Sequence, residues 1–161
     1  MRLRDGSTVS VRPIRPEDAA LEGRFIEALS ERSRYQRFFS QMAHLPPQML
    51  ARSTQLDYDR ELALVALAPD GGGFIGVGRY APNADGETAE FALTVADAWQ
   101  GRGVGRALLE RLCVCARAAG YRTLYGHILN ANQDMLGLAL RLGFVKSGSD
   151  GGLISVARAL Q

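Results

Sequence analysis

The 161-residue sequence predicts a mixed α+β domain of the α/β class, and three features carry that expectation. Three apolar runs parted by tight-turn signals read as an antiparallel meander, a glycine-spaced stretch joins the last of them to a helix, and the second half alternates strand and helix. Residues 1–161 read as one domain, long enough to bury roughly two-thirds of its unfolded surface around a single core.

The elements follow in order. Asp5-Gly6 is a hairpin signal between Arg2 to Arg4 and the alternating Thr8, Val9, Ser10 and Val11, so the chain is expected to open with a small β-ribbon. Pro16, Glu17 and Asp18 suit a first helical turn, and Leu21, Phe25 and Leu29 recur at fourfold spacing behind them. A second helix is expected over residues 30–39, and Pro46-Pro47 opens a short third around Met49 and Leu50. Strands then read at residues 62–67, 74–80 and 88–95, divided by turns at 69–73 and 83–87. From Val104 the period becomes helical, with Leu108, Leu112, Cys115, Ala116 and Ala119 on one side, and Gly120 ends it as a cap. A strand at 123–129, a helix carrying Met135, Leu138, Ala139 and Leu142 that Gly143 closes, and last strands from Phe144 and 153–160 around a Gly-rich turn complete the order.

Composition excludes more than it identifies. An apolar fraction of 47%, a charged fraction of 22% and a net charge of +2 are those of an ordinary globular protein, and no nucleic-acid or membrane partner is expected. Met1 to Asp5 is charged where a signal peptide would be apolar, and no run approaches the ~20 apolar residues of a membrane span, so a cytoplasmic protein is expected. Cys113 and Cys115, two apart on a helix, point in different directions; they form neither a disulfide nor half a zinc site and are expected as buried thiols, with no metal.

The chemically informative stretch is Trp99-Gln100-Gly101-Arg102-Gly103-Val104-Gly105-Arg106, between a strand and a helix. Amides at a helix N-terminus are unsatisfied donors at the positive end of the helix dipole, and glycine lets an anion approach them without meeting a Cβ. A diphosphate is the natural occupant. A dinucleotide fingerprint would need Gly or Ala three residues after its second glycine, where Arg106 or Leu108 stands instead, and no Gly-Lys-Ser/Thr ending marks an NTPase loop.

Gln100, Gly103 and Gly105 match the Gln/Arg-x-x-Gly-x-Gly/Ala pattern, and the chain thereby resembles the GNAT acetyltransferases. Asn132, followed eleven positions later by Gly143-Phe144 with Leu138 between, resembles the family's second motif. The segments Leu3 to Gly6, Arg12 to Asp18, Ser33-Arg34-Tyr35 with Arg37-Phe38-Phe39, and Asp57 to Glu61 are similar to one subgroup, the acetyltransferase domain of bacterial protein-lysine acetyltransferases. In such relatives the domain is often fused to a large acyl-CoA synthetase-like or nucleotide-sensing region, which these 161 residues do not contain.

The resemblance implies a GNAT-type fold, with a central mixed, mainly antiparallel sheet splayed in the middle and flanked by helices. It implies acetyl-CoA as cosubstrate, its pyrophosphate on the amides of Gly101, Arg102, Gly103, Val104, Gly105 and Arg106 behind Gln100, its acyl-pantetheine amides along the backbone of Leu93 and Val95, and Asn132 beside the pantetheine arm. Glu90 stands where the subgroup places its general base. Glu90, Ala92 and Thr94 share one face of their strand, and Ala89, Phe91, Leu93 and Val95 the other. Asp57, Asp59 and Glu61 compete for the base role, while His44 and His127 have no partner readable in the sequence. Many family members carry a tyrosine four residues before the Gly-Phe pair as general acid; here that position is Ala139.

The expected activity is N-acetylation of a primary amine, a protein lysine or a small molecule, by direct attack in a ternary complex, since no activated nucleophile is evident. The alternatives are a small-molecule amine N-acetyltransferase and a CoA-binding regulatory module with little catalysis. Neither the acceptor nor the oligomeric state is written in the sequence.

Overall fold

A computed structural model describes residues 1–39 and 44–161. Among them the chain makes strands β1 (Ser10–Pro13), β2 (Leu62–Leu67), β3 (Phe74–Pro82), β4 (Thr88–Val95), β5 (Thr123–Leu129), β6 (Val145–Asp150) and β7 (Leu153–Ala159). The helices are α1 (Ala19–Ala28), α2 (Glu31–Phe38), α3 (Pro47–Thr54), α4 (Val104–Ala118) and α5 (Gln133–Arg141). The strands join in one sheet ordered β1-β2-β3-β4-β5-β7-β6.

Every pairing is antiparallel except β4 with β5, so the expected meander and mixed, mainly antiparallel sheet are present. The opening ribbon shrinks to a single bridge, Arg2 to Thr8. Asp5 turns the chain there by accepting from the Ser7 amide and hydroxyl, and Ser10 to Pro13 pairs with β2 instead. Pro16 to Asp18 forms a 3₁₀ turn ahead of α1, because Asp18 accepts from the Arg15 amide and pairs with Arg12 at 2.6 Å. The helix expected over 30–39 is α2, capped by Ser30 accepting from the Ser33 amide and ended by Phe39 at φ 57°.

Two apolar clusters cover the two faces of the sheet. Leu108, Leu109 and Leu112 of α4 and Leu136 and Ala139 of α5 join Ile75, Phe91, Leu93, Leu124 and Ile128 on one side. Phe25 and Ile26 of α1 meet Ala63, Val65 and Val77 on the other. The alternation read along β4 holds: Ala89, Phe91 and Leu93 are buried, whereas Glu90 is exposed. Cys113 is buried as expected, while Cys115 is only half-buried.

The β4–β5 ladder has three rungs, Thr88–Thr123, Ala89–Leu124 and Glu90–Tyr125, and then ends. Beyond it the ring of Phe91 lies across Gly126, where an added Cβ would sit 2.5 Å from Phe91 Cε1. That ring is fixed edge-on against Phe144, with centroids 5.2 Å apart. We expect Gly126→Ala to destabilise the fold by about 1–3 kcal/mol through overpacking. Urea unfolding measures it, and a change below about 0.5 kcal/mol, the range of a neutral surface substitution, would show that the ring can yield.

Candidate active site

Where β4 and β5 part, β4 is left with backbone groups that no strand receives. The Asn83 amide donates to the Thr88 carbonyl and the Ala96 amide to Ile75, so the even-numbered residues of β4 spend their polar groups on β3. The odd-numbered Phe91, Leu93 and Val95 therefore turn theirs toward the gap. Of these, the Val95 carbonyl accepts from Gln100 Nε2 at 3.0 Å. The gap opens into a cavity of about 420 Å³ that also reaches the glycine loop, α2 and the first turns of α5.

The loop is shaped as its glycines require. Gly101 and Gly103 have φ of 76° and 96°, a left-handed backbone that side chains rarely adopt, and Gly103 is the N-cap of α4 without any side chain to cap it. The first amide bonded within the helix is that of Ala107, to Gly103, so those of Val104, Gly105 and Arg106 precede the ladder and remain donors. Gly105 differs: a Cβ there would meet Leu138, Val95 and Leu93 at ordinary contact distances of 3.5 to 3.6 Å.

The loop is braced from three sides. Arg102 pairs with Asp5 at 2.7 Å and stacks 4.1 Å over the Trp99 ring, which carries its side chain out of the cavity. Hydrogen bonds from Ser7 and then Arg102 hold the Asp5 carboxyl well below the usual carboxylate range. Gln100 Nε2 also donates to Ser33 Oγ at 3.2 Å, and Ser33 in turn donates to Asp97, which accepts from Ser30 as well. Burial raises the Asp97 carboxyl, but these hydrogen bonds outweigh it and the net shift is downward. Gln100 thus ties the loop to β4 and α2 with the amide that the sequence motif singles out.

The face of β4 that carries Glu90, Ala92 and Thr94 brings ionisable groups to the cavity. Glu90 stands on the last rung beside Tyr125, whose phenol is pushed up first by burial and then by the charge of Glu90. Two residues on, His127 lines the same cavity, its Nδ1 3.0 Å from Ser155 Oγ and its ring edge-on to Tyr125. Asn132 caps α5 by accepting from the Met135 amide at 3.2 Å, which leaves its side-chain NH₂ to the cavity it lines.

Residues 26–144 match the model of the acetyltransferase (GNAT) family. The chain belongs to that family. A protein of Pseudomonas aeruginosa named as an acetyltransferase is 37% identical over 145 residues, 89% of this chain and 78% of the relative. The GNAT domain of PAT from S. lividans superposes with a TM-score of 0.93 at 35% identity, covering 99% of this chain and 95% of that one. Acetyltransferase Pat of Mycolicibacterium smegmatis is 29% identical over 156 residues, which is 96% of this chain but 46% of that protein's length. As a GNAT member the chain is an acetyl-CoA-dependent acetyltransferase, an acyl-CoA-dependent N-acyltransferase in its chemistry.

Within that family frame, the cavity gathers Glu90, Leu93, Val95, Gln100, Gly101, Gly103, Gly105, Arg106 and Asn132. Val104 faces the core at 0% exposure, so it and Arg102 could serve a ligand only through their amides. Asp57, Asp59 and Glu61 are not among the cavity residues; Asp57 instead holds the turn before β2 by accepting from the Asp59 amide. Ala139 is fully buried in the core and supplies no proton donor. Arg32, Arg37, Thr94 and His127 line the cavity too; Thr94 was readable only as a neighbour on the face of Glu90 and Arg37 only as part of a subgroup segment, because each side chain reaches the cavity through a pairing of distant segments. No helix is long and apolar enough to cross a membrane among the described residues.

Gly103→Val places a branched side chain at φ 96° and over the free amides. We expect about 1–2 kcal/mol of lost stability from the left-handed backbone and at least about tenfold weaker CoA binding by calorimetry. Unchanged affinity in the folded variant would remove the loop from the binding site.

Proposed function

We propose that the chain transfers the acetyl group of acetyl-CoA to a primary amine, the side chain of a protein lysine, by direct attack in a ternary complex with Glu90 as general base. The observation that carries this is the place of Glu90: a carboxylate on the last β4–β5 rung, lining the same cavity as the glycine loop. The lysine reading is supported by the subgroup motifs around Arg12 to Asp18 and Ser33 to Phe39, and by the likeness to the S. lividans PAT domain.

In this mechanism the pyrophosphate of acetyl-CoA lies on the amides of residues 101–106, the pantetheine arm runs between β4 and Asn132, and the thioester carbonyl meets the Leu93 amide. A lysine ammonium near pKa ~10.4 is only about 0.1% neutral at pH 7.4, a penalty of roughly 4 kcal/mol that a base at the acceptor nitrogen addresses. Glu90 takes that proton directly or through one water. The amine nitrogen then bonds to the carbonyl carbon, the oxyanion is held by the strand amide, and as the intermediate collapses the C–S bond breaks and the surplus proton on nitrogen passes through water to the departing thiolate. With Ala139 where many relatives have tyrosine, departure relies on the thiol's own acidity, pKa near ~8.5.

Glu90→Gln keeps size and hydrogen bonding but removes the proton acceptor. Single-turnover rates at neutral pH should fall by about a hundredfold or more at unchanged acetyl-CoA affinity, and recover as pH rises toward the amine pKa. Wild-type single-turnover rates in Glu90→Gln would eliminate it as the base.

A further inference from the structure

Where α2 meets β4 the charges are unbalanced. Arg79 beneath it is matched by Glu22 at 2.7 Å, and Glu22 also accepts from Ser53 Oγ at 2.6 Å. Arg37 of α2 has no such match. It is half-buried, lies 4.8 Å over the Phe38 ring and forms no ion pair among the described residues, and Ser40 to Ala43 contain no acid. Burial first, then Arg79, brings its pKa down to about 10 against the opposing pull of Glu22 and Glu90. A guanidinium withdrawn from water without a counter-charge is destabilising, and a ligand anion removes that cost.

Thr94 supplies a second unmet group. It is 8% exposed, and its Oγ1 has no hydrogen-bond partner among the described residues. Arg37 and Thr94 both line the main cavity and a smaller one of about 110 Å³ beside it, and Thr94 shares its strand face with Glu90. Arg32 adds a further exposed cation.

We propose that Arg37 and Thr94 form a carboxylate-binding subsite beside Glu90, so that the amine acceptor carries an acidic group close to its reacting nitrogen. The planar guanidinium suits two carboxylate oxygens, and the threonine hydroxyl donates a further bond. An acceptor with only positive charge, such as a polyamine, would meet Arg32 and Arg37 unpaired. The carboxylate comes either from the acceptor's own α-carboxyl group or from an acidic side chain next to a protein lysine. The role in acceptor choice rests on the proposed acetyl transfer; the anion site itself does not.

The test has a turnover arm and a binding arm. Peptides with one lysine flanked by Glu, Gln or Lys, and free lysine against lysine amide, are compared as acceptors for the wild type, Arg37→Gln, Arg37→Lys and Thr94→Val. We expect a preference of about tenfold or more in kcat/KM for the carboxylate-bearing acceptor in the wild type, near-equality in Arg37→Gln and an intermediate preference in Thr94→Val. A preference confined to free lysine assigns the acceptor's own carboxylate, and one confined to the Glu peptide assigns a neighbouring side chain. Separately, propionate is titrated into the ¹⁵N-labelled, CoA-bound protein, with shifts expected at the Thr94 amide and Arg37 Nε–H of the wild type and lost at Thr94 in Arg37→Gln. Should Arg37→Gln not fold, Arg37→Lys and Thr94→Val carry the comparison, each expected to weaken the response. Equal turnover of Glu and Gln peptides and of free and amidated lysine, or propionate shifts undiminished in every folded variant, overturns the subsite. If no amine is acetylated the proposed function fails, and the propionate arm still decides this site.

Discussion

The site depends on one interruption, the end of the β4–β5 ladder at the Glu90–Tyr125 rung. A continuous ladder would consume the backbone groups of Phe91, Leu93 and Val95; the gap turns them toward a cavity. The interruption is built into packing, because Phe91 lies over Gly126 while Phe144 holds its ring from the side. Open strand edges deep in a domain are costly unless something receives their polar groups, and a ligand that carries amides is suited to do so.

Polar contacts between distant segments hold the gap in shape. Asp97, just past β4, gathers Ser30 and Ser33, while Gln100 spans from Ser33 to the Val95 carbonyl. Strand, loop and α2 are thereby fixed to one another at the mouth of the cavity. On the far side of the loop Asp5 and Trp99 hold the Arg102 side chain away from the amides, and Arg106 is paired with Glu110 at 3.0 Å, so the loop turns its backbone rather than its cations toward the cavity.

Most of the fold was legible because its signals are local. Turn residues divide the meander, helical spacing marks α4 and α5, and the glycine spacing locates the loop to the residue. Two departures stand near the start: Ser10 to Pro13 leaves the opening ribbon to pair with β2, and Asp18 bonds the Arg15 amide and makes the first helical turn 3₁₀. Within the site, Glu90 and the strand faces were readable from period-two alternation. Thr94 was readable as a neighbour on that face and Arg37 as part of a subgroup segment, but the place of either in the cavity, or of His127, was not, since it comes from tertiary contacts: an arginine on a polar helix looks solvated until α2 is docked on β4. The same limit applies to Gln100, whose motif position is local but whose bonds to Val95 and Ser33 are not.

In the proposed function acetyl-CoA occupies the gap between β4 and β5, with its phosphates on the glycine loop. Amide hydrogen exchange with and without acetyl-CoA tests it most directly, because it reads the backbone groups themselves. Exchange is expected to slow at Leu93 and Val95 and at Gly101 to Arg106, with the β6–β7 hairpin unchanged. Exchange unaltered at those amides under saturating acetyl-CoA, or protection confined to another part of the molecule, would contradict it.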